Sequence, residues 1–187
     1  MVSIVALWLP TILSAIAVFV VSSILHMFLR YHRSDFAEVP REDEVQAALR
    51  PFAIPPGEYV LPRAECQKDM QTPEFQAKLD QGPVAFLTVM PNGPFTMGGS
   101  LAAWFVYSLV VSVFAAYVAG QALAPGADYV KVFQFTGVTA FSGYVLALWQ
   151  GSIWMKRKLS TTLKSTFDGL VYSLVTAGFF GWLWPGI

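Results

Sequence analysis

The sequence predicts an all-α integral membrane protein with four transmembrane helices and a proline-rich mixed α/β cytoplasmic loop between helices 1 and 2. Three observations predict it. The 187 residues are 55% hydrophobic and only 13% charged, with a mean hydropathy of +0.53, too apolar for an ordinary soluble domain. Acidic and lysine or arginine side chains are absent from four long stretches, each able to approach the roughly 20 residues that cross a hydrocarbon core. Basic residues gather on one side of the resulting arrangement, as loops on the cytoplasmic side do.

Helix 1 is expected over about residues 4–29, interrupted only by His26. It has no basic leader and no small-residue cleavage site, and is therefore expected to stay in the mature protein. Helix 2 is expected over about 101–124 and helix 3 over about 131–155. Helix 4 is expected over about 165–184, drawing on polar residues before Gly169 to reach full length. Arg30, Arg33 and Arg41 follow helix 1, and Lys156, Arg157, Lys158 and Lys164 separate helices 3 and 4, with only Lys131 on the other side. Both termini and the turn at Pro125-Gly126 are therefore expected on the non-cytoplasmic side. The tryptophans fit interfacial positions in this topology, with Trp8, Trp182 and Trp184 at outer ends and Trp104, Trp149 and Trp154 at inner ends.

The loop over 30–100 holds nine of the twelve prolines, which argues against one long helix. Two short helices are expected in it. One lies near 41–49 with acidic residues in its first turn, and the other follows Thr72 as N-cap and Pro73 as first residue, ending before Gly82. Residues 84–90 read as a strand with 59–61 as partner. The loop is expected to pack on the membrane face. It is mildly acidic, which excludes nucleic acid as a partner. The single cysteine, Cys66, can form neither an internal disulfide nor a metal cluster.

Small residues recur at three- and four-residue spacing and predict close helix packing. Helix 4 carries Ser165, Gly169, Ser173, Ala177 and Gly181; helix 3 carries Thr136, Ala140, Gly143, Ala147 and Gly151; helix 2 carries Ser108, Ser112, Ala116 and Ala119. Helix 1 has only a weak small face around Ser14 and Ala17 and is expected at the periphery, open to lipid, a membrane-protein partner or a second copy.

Ionisable residues inside a bilayer are functional candidates by default. Asp168 is the acidic one, although Ser165-Thr166-Phe167-Asp168 also matches a capping box that would start helix 4, with Lys164 as a neighbouring cation. His26, His32 and Asp35 are the other weak catalytic candidates. Six residues place the two histidines on different faces of a continuous helix, so they converge only if the chain breaks near Arg30. The expectation is an interfacial histidine and no metal or cofactor.

The segments Trp149-Gln150-Gly151-Ser152-Ile153-Trp154, Ser160-Thr161-Thr162-Leu163-Lys164, Phe167-Asp168-Gly169 and Gly181-Trp182-Leu183-Trp184-Pro185, together with His26 to Asp35 and Gly82-Pro83 to Gly98, carry a resemblance. The chain resembles an uncharacterised family of small four-helix bacterial inner-membrane proteins with no assigned activity. The resemblance implies mainly a bacterial inner-membrane location, and because its motifs match no assigned activity it carries over no catalytic role. The expected function is that of a noncatalytic accessory, assembly or scaffold protein in contact with membrane lipid. A small-solute transporter or channel is one alternative, and an inner-face enzyme or lipid-binding protein is the other.

Overall fold

The computed structural model describes residues 1–94 and 96–186 and is mostly helical. In chain order its elements are α1 (Trp8–Met27, led in by a 3₁₀ turn over Ile4–Leu7), α2 (Glu42–Leu49), β1 (Gly57–Leu61), α3 (Pro73–Gln81), β2 (Ala85–Val89), α4 (Gly98–Ala122), α5 (Tyr129–Phe141), α6 (Leu148–Trp154) and α7 (Leu159–Trp182). They fall into two compact units, one of Met1–Phe36 with Thr96–Ile187, the other of Ala37–Phe95.

In the second unit β1 and β2 pair antiparallel, with Gly57 opposite Val89 and Leu61 opposite Ala85. Thr72 Oγ1 accepts from the Phe75 amide at 3.3 Å and Pro73 opens α3, so cap and first residue satisfy the free donors of that helix start. None of the described residues of this unit is buried. Two short helices and a two-stranded ribbon thus have no core of their own.

The first unit is a helical bundle. Three of its helical runs, Ile4–Met27, Gly98–Ala122 and Tyr129–Trp154, are long and apolar enough to cross a membrane; at 1.5 Å per residue each exceeds the roughly 30 Å hydrocarbon thickness. Helix α7 packs against α1 and α5 along the same bundle. It starts at Leu159, six residues before the expected start, and its first half carries Lys164 and Asp168.

Small side chains let these helices touch. The buried residues of α4 are Ser108, Val111, Ser112, Ala115, Ala116, Ala119 and Gly120, and α7 buries Gly169, Ser173 and Ala177 on one face, so packing rather than apolar bulk holds the contact. The hydroxyls in this core donate to carbonyls of their own helix, as Thr11 Oγ1 does to Leu7 O at 2.7 Å, Thr136 Oγ1 to Val132 O at 2.8 Å and Ser173 Oγ to Gly169 O at 2.6 Å. Such back-bonding hides the polar atom from lipid.

Helix α1 is not peripheral. It buries Ser14, Ala15, Val18, Ser22 and Leu25, Ser14 Oγ donates to Ser112 Oγ at 3.1 Å, and Trp104 Nε1 donates to Ser22 Oγ at 2.7 Å. Its exposed residues Ile12, Ile16, Val20 and Ile24 form one stripe at four-residue spacing, so one bulky face is left outward while the small face enters the bundle.

The third apolar run is not one regular helix. Between α5 and α6 the backbone widens into a π segment over Ser142–Leu146, a form frequent at functional sites. The Gly143 carbonyl there accepts from the Tyr107 hydroxyl at 2.6 Å. At the opposite end of the bundle both chain ends meet the turn after α4. Val2 N donates to Gly120 O at 2.8 Å, Gly126 N to Pro185 O at 2.8 Å, and Trp184 Nε1 to Ala124 O at 3.0 Å.

A methyl group on Gly120 would lie 2.6 Å from the Val2 carbonyl oxygen, whereas one on Gly181 would meet the half-exposed ring of Tyr129, a side chain with solvent to turn into. Gly120→Ala is expected to cost about 1–3 kcal/mol and Gly181→Ala less than about 1. Thermal unfolding in detergent measures both; equal effects would mean that the backbone contact at Val2 is not rigid.

Candidate functional site

The site is built where α1 ends. The helix stops at Met27, two residues short of expectation, because Leu29 adopts an extended backbone and a 3₁₀ turn follows over Arg30–Ser34. This is the break near Arg30 that convergence of the histidines requires. The turn brings His32 back beneath His26, and the two rings stack with centroids 4.4 Å apart and planes 9° apart.

The i, i+3 spacing of a 3₁₀ turn puts His32 and Asp35 on one face, and His32 Nδ1 lies 2.6 Å from Asp35 Oδ2. From α7, Lys164 and Asp168 project at i, i+4 on one face. The Lys164 ammonium donates to Tyr31 O at 2.5 Å, to Ser34 Oγ at 2.8 Å and to Asp35 Oδ1 at 2.8 Å, engaging all three of its protons. Lys164 thus pairs with Asp35, not with Asp168. His32 Nε2 lies 2.8 Å from Asp168 Oδ2, while the Tyr31 hydroxyl donates to Asp168 Oδ1.

Asp168 is therefore not a helix cap. It stands in the tenth position of α7, 3% exposed, and its presumptive capping partner Ser165 instead donates to Thr161 O at 3.0 Å. Of the hydroxyls before Asp168, Ser165 bonds back along the helix and Thr162 meets the Ser152 hydroxyl at 2.6 Å, so neither caps the helix start.

The electrostatics follow from counting protons. A neutral imidazole has one N–H donor, yet both nitrogens of His32 face carboxylates. The chain Asp35–His32–Asp168 consequently holds one proton more than neutral imidazole and two carboxylates would carry. With that proton, two carboxylates are balanced by His32 and Lys164, and a buried charge cluster is tolerable when every member is paired. Burial pushes the Tyr31 hydroxyl above its ordinary value, and its hydrogen bond to Asp168 pushes it further, so Tyr31 remains a donor. Burial by itself would raise the Asp35 carboxyl, but hydrogen bonds from Lys164 and His32 outweigh it and hold the group below its usual value of 3.8.

The sign of the pH dependence follows. Because the folded-state value of Asp35 is depressed, its stabilisation is complete above the unfolded value near 3.8 and is lost as pH falls through the folded one. The unfolding temperature in detergent is expected to drop below about pH 4 as this contribution is lost. In Asp35→Asn the drop should be smaller; an unchanged drop would show that other carboxylates govern it.

His26 Nδ1 lies 3.0 Å from Ser22 O, which assigns the proton to Nδ1 and leaves Nε2 as a free acceptor. His26, His32 and Asp168 each offer a ligand atom within 4.8 Å of one another. Their arrangement does not suit a shared ion, because lone pairs in two nearly parallel stacked rings cannot both point at one centre about 2 Å away.

His26 and Asp168 also line a cavity of about 320 Å³ whose remaining wall includes Trp104, Tyr107, Tyr144, Arg157 and Tyr172. The four candidates read from sequence are thus gathered in one place, His26 and Asp168 on the cavity and His32 and Asp35 behind Asp168. Tyr31, Tyr144, Tyr172, Trp104 and Arg157 were not among them. A larger hollow of about 500 Å³ in the Ala37–Phe95 unit, between Gln46 and Val89, brings no such group of ionisable side chains together. No family model, curated protein or solved structure matches this chain, so the reading of the site rests on its own residues.

Proposed function

We propose that the protein is a four-span protein of the bacterial inner membrane that performs general acid–base chemistry on a membrane-dissolved amphiphile at the cytoplasmic boundary. The observation that carries this reading is the Asp35–His32–Asp168 chain, which ends on the wall of an aromatic cavity. Asp168 is the group that exchanges a proton with the ligand. His32 supplies or receives that proton, and Asp35, Lys164 and Tyr31 are positioning residues that hold the pair in register.

The fourth span is α7, supported by its two ends: Lys164 meets the turn after α1, and Trp184, just past the helix, meets the turn after α4. Arg30, Arg33, Lys156, Arg157, Lys158 and Lys164 cluster at the end that carries the site, which favours that end as cytoplasmic and the termini as external. The back-bonded hydroxyls speak against a polar path through the bundle. A buried charge chain that ends on a cavity favours acid–base chemistry over a purely accessory role.

The test is untargeted. Purified protein in nanodiscs made from total bacterial lipid extract is incubated, and the lipids are compared by mass spectrometry with those of His32→Gln and Asp168→Asn. A species formed by the wild type and reduced at least about 100-fold in both variants supports the proposal. Identical lipid profiles from all three folded proteins would reject it.

A further inference from the structure

Two hollows of the helical unit share His26 and Trp104 in their walls. One is the cavity of about 320 Å³ that holds Asp168. The other, of about 290 Å³, lies between α1 and α4, with Met27, Met97 and Leu101 among its lining. Most polar groups on this second hollow are spent inside the protein. Ser22 Oγ and Ser23 Oγ each donate to Phe19 O at 2.9 Å, and Trp104 Nε1 donates to Ser22 Oγ at 2.7 Å. What remains is a largely apolar slot, of the kind that takes an alkyl tail.

His26 differs from its neighbours. Its Nδ1 donates to Ser22 O at 3.0 Å, so Nε2 carries a lone pair and no proton. Among the described residues nothing donates to that nitrogen. The ring is also held in plane by its stacking on His32, with centroids 4.4 Å apart. A ring nitrogen of His26 and a carboxylate oxygen of Asp168 lie within 4.8 Å of each other, so a head group seated at His26 is beside the carboxylate that ends the charge chain.

The charges on the wall narrow the class of head. Arg157 and Asp168 bring opposite signs to the same cavity, and Asp168 is already paired with His32. An anionic head would face that carboxylate, and a cationic head would face Arg157 with no free acid to match it; an unpaired charge is costly to bury. A neutral hydroxyl carries the proton that Nε2 lacks.

We propose that His26 Nε2 accepts a hydrogen bond from the hydroxyl head of an uncharged amphiphile whose alkyl tail lies in the apolar hollow between α1 and α4. The tail enters past Met27 and Met97, 71% and 54% exposed, whose unbranched thioether side chains adapt to it. The inference rests on the acid–base reading and names the substrate class of that site.

The experiment is nitrogen-15 NMR of the whole protein, labelled at histidine, in phosphatidylcholine nanodiscs. The chain has two histidines, and both nitrogens of His32 face carboxylates, so the resonance of an unprotonated ring nitrogen is expected from His26 alone. Hexadecanol is expected to move that resonance saturably. Hexadecyl methyl ether, which lacks only the donor, is expected to bind at least about tenfold more weakly. His26→Phe keeps a ring on His32 and removes the acceptor, while Leu101→Trp fills the apolar hollow and leaves His26 in place. Native mass spectrometry is expected to show hexadecanol held about tenfold or more weakly by each variant. Equal binding of the ether, tighter binding of hexadecanoate or hexadecylammonium, a bare nitrogen that proves to be Nδ1, or indifference to both variants would overturn the assignment. Hexadecanol bound at His26, with no lipid product formed by the wild type, would reject the acid–base reading alone. A lipid product, with no response of His26 to hexadecanol, would reject this inference alone.

Discussion

Asp168→Ala is expected to destabilise the folded protein by about 3–5 kcal/mol, the cost of removing one partner from a buried charge pair. Deleting the carboxylate leaves the His32 Nε2 and the Tyr31 hydroxyl without an acceptor, in a place where water cannot fully replace it. Asp168→Asn retains one acceptor oxygen and is expected to lose about half as much. A double-mutant cycle with His32→Leu should return a coupling of about 1–3 kcal/mol, because the second substitution removes the stranded proton donor. Denaturant titration in detergent measures all four species. Additive losses would mean that Asp168 and His32 do not share a proton, and the acid–base proposal would fall with that result.

Lys164→Met is expected to release the turn after α1. Its ammonium fastens a carbonyl, a hydroxyl and a carboxylate of the 31–35 segment to α7, and hydrogen bonds to a charged donor contribute about 1.5–3 kcal/mol each at most. Lys164 is 22% exposed, so water recovers part of that loss, and a net cost of about 2 kcal/mol is expected. Amide exchange in residues 30–36 should accelerate at least tenfold, since about 1.4 kcal/mol corresponds to a factor of ten, while α4 exchanges as before. Lys164→Arg should restore little, because three bonds radiating from one nitrogen suit an ammonium and not a planar fork. Unchanged exchange in 30–36 would show that the turn is held by its own backbone.

The apolar runs were legible because lipid makes a simple demand: long segments free of lysine, arginine and acids. Three of the helices can be found that way to within a few residues. Helix α5 begins at Tyr129 because Asp128 caps it, accepting from the Val130 amide at 2.9 Å, a signal present in the sequence three residues before the expected start. The origin of α7 was hidden by a competing pattern. Ser165 and Asp168 have the spacing of a capping box, yet the hydroxyl-rich residues before them are helical, and the carboxylate is claimed by groups about 136 positions away.

The site was legible only as a set of residue types. His26, His32, Asp35 and Asp168 stand out as ionisable groups at the edge of an apolar world, but the sequence around Leu29 contains neither glycine nor proline to announce the break that unites them. That break is secured by Lys164, from far along the chain. Tyr144 and Tyr172 gave no signal, since a tyrosine in an apolar helix looks like any other, and what singles these two out is a place on the cavity wall that only the finished fold creates.

The pairing of His32 with Asp168 spans 136 residues of chain, and this separation is also an interval of time. At about 5–20 residues per second, synthesis delivers the stacked histidines roughly ten seconds or more before the carboxylate that matches them. Through that interval α1 waits at the membrane with its proton-holding group unmatched. The charge chain closes only when α7 arrives, so a chain that stops before Asp168 leaves His32 without the partner that its Nε2 meets in the finished fold.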